Sequence, residues 1–110
     1  MVLPKRQKVF RRAKASKLLM ALVKVRLFAN LREIVGHPQL AIEAGTIREV
    51  LAALQSEHPA LRSVLCDDNG EVRSYITVLV NGKNMREMEA LATVLSDGDE
   101  VAIFPPVSGG

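Results

Sequence analysis

The closing block of the sequence, 95-LSDGDEVAIFPPVSGG-110, passes through four kinds of chain. "SDGD" at 96–99 is a turn, because aspartate bonds nearby backbone amides and glycine supplies angles that other residues avoid. "EVAIF" at 100–104 reads as a strand. Pro105 and Pro106 fix φ near −65° and carry the chain off the sheet as a semi-rigid stem. Val107 and Ser108 continue it, and Gly109 and Gly110 follow with no side chains at all. From Val107 onward an extended chain reaches about 13 Å. Such a tail fits a narrow channel and lets another protein's backbone come close. Its one distinctive group is the α-carboxylate of Gly110. The bland alternative is an ordinary floppy terminus, since serine and glycine are common in tails.

A tail of this kind needs a small, rigid body behind it. The 110 residues suffice for one domain, and 48% apolar content supplies a core. Aromatics are only 4%, so Val, Leu, Ile and Ala must fill it. "ALVKVRLFA" at 21–29 sets Val23, Val25 and Leu27 against Lys24, Arg26 and Phe28, a strand with one charged face. "NLREIVG" at 30–36 reads as one helical turn closed by Gly36, and "LAIEAG" at 40–45 as a short strand making a hairpin with the first. The helix is clearest in "TIREVLAALQSEHP" at 46–59. Thr46 and Glu49 form a capping box, each side chain bonding the other's amide. Ile47, Val50, Leu51 and Leu54 make one apolar stripe, and Pro59 stops the helix. Leu61, Val64 and Leu65 read as a last turn beside it. "YITVLVNGK" at 75–83 reads as a strand central in the sheet, closed by Asn81-Gly82, while "MREMEALATVL" at 85–95 stays open between helical turn and irregular crossover. The order β-β-α-β-(β)-β implies an α+β roll of four or five strands around one main helix.

Charge divides the chain. Residues 1–21 carry Lys5, Arg6, Lys8, Arg11, Arg12, Lys14 and Lys17 and no acid; residues 22–110 hold eight basic against twelve acidic residues, a net of −4. The expected organisation is a basic, disordered leader over 1–21 and an acidic domain over 22–110, with its extended tail at 105–110. The leader reads as a solvated segment. Three sharper readings stand beside that: contact with RNA or an acidic partner surface, an organelle transit peptide, or an over-extended start ahead of Met20. A high overall pI is therefore no sign of nucleic-acid binding by the domain.

Familiar chemistry is missing. No phosphate loop, GxSxG or histidine cluster occurs. His37 and His58 precede prolines in bends, and one cysteine, Cys66, permits neither an internal disulfide nor a zinc knuckle. Cys66 reads as a structural thiol with no base beside it, which suits a reducing cytoplasm. Asp67-Asp68 and Asp97-Gly98-Asp99-Glu100 read as turn chemistry, not as a metal site. Arg32-Glu33 is either an exposed ion pair or a contact surface. No apolar run approaches the ~20 residues of a membrane span, and no secretory signal is present.

With these blocks in view, "VKVRLFANLREIVG" at 23–36, the helix from Thr46, "VLVNG" at 78–82 and the block at 95–110, the chain resembles the ubiquitin-like, β-grasp sulfur carriers, nearest the small subunit of molybdopterin synthase. The likeness covers residues 22–110 almost end to end. Thiamine-pathway carriers also finish in Gly-Gly but are shorter, and "FPPV" looks more like the molybdopterin branch. The leader departs from the pattern, since such carriers begin near Met20. The resemblance implies a carrier and not a catalyst. An E1-like adenylyltransferase, using its own ATP and magnesium, converts the Gly110 carboxylate to an acyl-adenylate, and sulfur from a persulfide displaces AMP to leave a thiocarboxylate. The large synthase subunit then receives the tail and passes the sulfur to a pterin. The carrier itself holds no cofactor. Phe104, Pro105 and Pro106 at the tail's base, with Ile103 beside them, are expected to meet both partners, with Arg32 as a further contact. The alternative within the same likeness is a protein modifier joined to target lysines through Gly110. An RNA-associated β-grasp domain ranks below both, because it leaves the tail without a role.

Overall fold

The computed structural model describes residues 20–106. All of the expected leader except Met20 and Ala21 lies outside the described residues, as do Val107, Ser108, Gly109 and Gly110.

Strand β1 (Ala21–Leu27) alternates strictly: Ala21, Val23, Val25 and Leu27 are buried, while Leu22, Lys24 and Arg26 are exposed. It pairs antiparallel with β2 (Gln39–Ala44) and parallel with β5 (Glu100–Phe104). β5 also pairs antiparallel with β3 (Thr77–Val80), and β3 with the two-residue β4 (Lys83–Asn84). The mixed five-stranded sheet therefore runs β2-β1-β5-β3-β4. One face packs against α2 (Ile47–Glu57), whose Ile47, Val50, Leu51 and Leu54 are all buried, as the apolar stripe predicts. This is the expected β-grasp roll: one main helix held in the concave side of a twisted sheet.

Several local expectations change. The segment after β1 forms a six-residue helix, α1 (Asn30–Val35), and not a single turn. Leu31 and Val35 anchor it to the core, and Gly36 closes it in the left-handed conformation (φ 88°), where its amide bonds the Arg32 carbonyl. Because α1 intervenes, β1 and β2 pair without a tight hairpin. The cap of α2 is also modified. Thr46 Oγ1 accepts the Glu49 amide at 3.3 Å, but Glu49 Oε1 accepts the amide of Gly45, at 2.6 Å, one residue upstream of the reciprocal box. The amide of Leu95 meanwhile bonds the Gly45 carbonyl at 2.9 Å, so the loop before the helix is tied from both sides.

The apolar run at 75–83 yields a shorter strand than its length suggests. Tyr75 and Ile76 stay in a turn, where the Arg86 guanidinium donates to the carbonyls of Ile76 (2.8 Å) and Arg73 (3.1 Å). Nor is β3 central: β5 holds the middle, and β4 covers only two residues of β3's other side. Asn81 (φ 51°) and Gly82 (φ 89°) make the turn between β3 and β4. The ambiguous stretch resolves into two short 3₁₀ turns, Met85–Glu87 and Ala90–Ala92. After α2, a 3₁₀ turn (Pro59–Leu61) runs into α3 (Arg62–Leu65), and Leu61 and Leu65 are buried as expected.

Candidate functional site

The site lies where β5 ends. Because β1 and β5 are parallel neighbours, both strands run out at the same end of the sheet, with Leu27 opposite Ile103. Alternation then sorts the side chains. Val101 and Ile103 face the helix and are fully buried, whereas Glu100, Ala102 and Phe104 face outward and are half-buried. The expectation that Ile103 shares an apolar contact patch with Phe104 is therefore corrected: adjacent residues of a strand point to opposite faces, and Ile103 belongs to the core.

Phe104 is neither core nor freely exposed. Its ring stacks on Phe28, the residue following β1, with centroids 4.3 Å apart and planes 10° from parallel. Aromatic pairs of this kind contribute about 0.5–1.5 kcal/mol beyond simple burial. The guanidinium of Arg26 lies 5.4 Å from the Phe28 ring centroid, and its Nη1 sits 3.4 Å from Glu100 Oε2. Both partners of that ion pair are well exposed, so it orients Arg26 more than it stabilises the fold. Beside this stack, register places Thr77 next to Phe104, and Leu79 and Arg26 on either side of Ala102. Phe28, Phe104, Leu79 and Ala102 thus form a shallow apolar strip on the sheet face away from the helix. Pro105, half-buried, and Pro106, exposed, carry the chain off the edge of this strip.

Of the expected site residues, the structure brings Phe104, Pro105 and Pro106 together. Ser108, Gly109 and Gly110 lie outside the described residues. Arg32 is exposed on α1, which is joined to the strip through its first turn: the Leu31 amide bonds the Phe28 carbonyl at 3.1 Å. Arg32 and Glu33 form no ion pair among the described residues. Phe28, Leu79 and Ala102 were missed by sequence reasoning. Each sits at an outward parity of its strand, so alternation marks the face; that the strands adjoin is a tertiary fact.

The acidic turns are structural. Asp97 Oδ1 accepts the Leu22 amide at 2.8 Å, and Asp99 accepts from Ser96 N (2.7 Å) and Asn81 Nδ2 (2.9 Å). Asp67 Oδ1 takes the amides of Asn69 and Glu71. No group of three or more potential metal ligands gathers among the described residues. Burial pushes the Cys66 thiol up, with Asp67 and Glu71 adding to the effect against a hydrogen bond from Gln55 and the charge of Arg73. A thiol held in its neutral form is a poor nucleophile. No described helix is long and apolar enough to cross a membrane.

Residues 25–110 match the ThiS family. The small archaeal modifier protein 3 of Haloferax volcanii is 38% identical over 91 residues, covering 80% of this chain and 98% of its own. The molybdopterin synthase sulfur carrier subunit of Chlamydomonas reinhardtii is 36% identical over 91 residues, with the same coverage of 80% and 98%. Among solved structures, the small archaeal modifier protein 1 of Methanosarcina acetivorans superposes with a TM-score of 0.76 at 44% identity, covering 83% of this chain and 98% of that one. The named relatives are sulfur carriers, carrier subunits and modifiers. The match through Gly110, the β-grasp sheet and the parallel β1–β5 pair that launches the tail agree: the chain belongs to the ThiS family of ubiquitin-like sulfur carriers.

Proposed function

We propose that this chain carries sulfur as a thiocarboxylate on Gly110 and donates it in molybdopterin synthesis. The observation that carries the reading is the join between a rigid aromatic strip and the Pro105-Pro106 stem at the end of β5. A carboxylate resists nucleophilic attack because its leaving group is oxide. In the proposed sequence a carboxylate oxygen of Gly110 attacks the α-phosphorus of ATP on an E1-like partner and releases pyrophosphate. A persulfide sulfur then attacks the carbonyl carbon, expelling AMP, and reductive cleavage of the sulfur–sulfur bond by a thiol leaves the thiocarboxylate. ATP and magnesium belong to that partner. The chain's own part is to present the tail and the docking strip. Phe104 and Phe28 give the partner an apolar anchor at the root of the tail, Pro105 and Pro106 fix the direction of exit, and Ser108 leads into Gly109 and Gly110, which pass through a channel too narrow for side chains. Arg32, exposed on α1, adds a charged contact. The large synthase subunit grips the same strip when it receives the tail.

The relatives named as archaeal modifiers favour a second use of the same activated glycine: attack by a lysine amine in place of the persulfide, giving an isopeptide bond. Both uses share adenylation, so the first test is ATP–pyrophosphate exchange by the activating enzyme. Exchange should require this chain and vanish when Gly110 is deleted. Exchange that persists without Gly110 removes both readings. Diglycine remnants on lysines of other proteins, with no thiocarboxylate, would assign the chain to the second.

A further inference from the structure

We propose that Arg26 selects the partner, on the reading that the strip docks an activating enzyme: the enzyme's contact surface presents a carboxylate to the Arg26 guanidinium, which leaves Glu100 to meet it. Residues 22–110 carry a net of −4, yet the outward side of the middle of the sheet is not acidic. On β1, β5 and β3, the three middle strands, the outward charges are Lys24, Arg26 and Glu100 alone. Glu43 of β2 stands opposite Leu22, at the end of β1 far from Phe28. Asp97 and Asp99, in the turn before β5, accept from the Leu22 and Ser96 amides and from Asn81 Nδ2. Beside the strip, two cations therefore share one carboxylate.

Register places Lys24 directly beside Glu100, but the Glu100 carboxylate meets Arg26, two residues further along β1. Lys24 forms no ion pair among the described residues. The Arg26–Glu100 contact is a single approach of Nη1 to Oε2 at 3.4 Å, long for a bond between charged groups, and its side chains are 47% and 38% exposed. A carboxylate that grips a guanidinium with both oxygens makes shorter, stronger and more directional bonds. Glu100 and the Phe28 ring, 5.4 Å away, thus hold Arg26 next to the root of the tail without using up its donors. Holding it there in advance lowers the cost of ordering a long side chain on binding. Once Arg26 turns to the enzyme, Glu100 needs a new counter-charge, because an unpaired charge under an interface is costly. Lys24, already beside it, supplies one. The main chain of Glu100 is unaffected, since its amide and carbonyl are bonded to Asn81 at 2.9 and 2.8 Å. An apolar surface that lacks the carboxylate buries Arg26 unpaired and is rejected.

The test is ATP–pyrophosphate exchange by the activating enzyme of the same host, with the full-length, untagged chain varied to give its KM and kcat at low and high salt. Arg26→Gln should raise KM by about tenfold or more at low salt, leave kcat unchanged and flatten the dependence of KM on salt. Arg26→Lys keeps the charge but not the planar fork, so it should fall between the two. Glu100→Gln should leave KM unchanged or lower it, because it removes the internal competitor for Arg26. Lys24→Gln should raise KM several-fold in the wild-type background and have no effect beside Glu100→Gln. A purely structural ion pair behaves differently: breaking it from either end costs the same, so a matching rise in KM for Arg26→Gln and Glu100→Gln overturns the proposal. An unchanged KM for Arg26→Gln, or a fall in kcat alone, overturns it equally while leaving sulfur carriage on Gly110 intact. Wild-type chain that supports no exchange instead removes the proposed function, and the role of Arg26 with it. Melting curves of all four variants should lie within a few degrees of wild type, since both ends of the pair are exposed.

Discussion

Replacing Phe104 with alanine separates folding from docking, because the side chain is half-buried and outward-facing. Two contributions to folding are lost. Burying a whole phenylalanine side chain stabilises by about 1.5–3 kcal/mol, so half of one contributes about 1 kcal/mol. The stack on Phe28, with rings 4.3 Å apart, adds about 0.5–1.5 kcal/mol. The expected folding loss is therefore about 2 kcal/mol, below the ~3–5 kcal/mol typical of a phenylalanine truncated in a sealed core. For a domain of this size that lowers the melting temperature by roughly 10 °C. Docking should suffer separately. An aromatic anchor at an interface centre contributes about 2 kcal/mol or more, roughly thirty-fold in affinity. Titration calorimetry against the activating enzyme and the large subunit, run well below the melting temperature, reads the second effect, and a melting curve reads the first. Phe104→Leu, which keeps apolar bulk but loses the stack, should fall between alanine and wild type in both. A variant that loses 3–5 kcal/mol of stability yet binds both partners normally once folded would refute the reasoning.

Three further outcomes concern the ends of the chain. Adding one residue after Gly110 should abolish adenylation and leave the melting temperature unchanged; normal thiolation of an untrimmed, C-terminally tagged protein would contradict the carboxylate mechanism. Gly109→Val should likewise fold normally but block transfer in the partner's active site, and wild-type turnover by that variant would show that no narrow channel exists. Starting the chain at Met20 should preserve the melting temperature within a few degrees, because β1 begins at Ala21 and its inward side chains are already buried by the sheet and α2; a loss of much more than that would place residues 1–19 on the fold.

Local periodicity made most of the fold legible. The alternation of Val23, Val25 and Leu27 and the stripe from Ile47 to Leu54 each act within one element and stand as read, and of the Thr46–Glu49 box the Thr46 half does, while Glu49 takes the Gly45 amide instead. Expectations changed where a distant partner decides. Tyr75 and Ile76 have strand-forming side chains, but Arg86, ten residues beyond Ile76, captures the carbonyls of Arg73 and Ile76 and holds them in a turn. The short segment at Asn30–Val35 has little intrinsic helical stability; burial of Leu31 and Val35 makes it a helix. At the candidate site the split between Ile103 and Phe104 was already written in the parity of "EVAIF". The stack with Phe28 was not, since it depends on two strands 73 or more positions apart lying parallel, as in the pairing of Lys24↔Glu100 through Leu27↔Ile103.

The most direct test of sulfur carriage is the intact mass of the full-length protein purified untagged from its native host, with its activating enzyme and a sulfur source present. Sulfur carriage on Gly110 predicts a population in which one oxygen is replaced by one sulfur. Fragmentation should place the change on the last residue, and a thiol-selective alkylating agent should then modify the C terminus as well as Cys66. A single unshifted mass under those conditions, with the partner enzyme shown to be active, would contradict it.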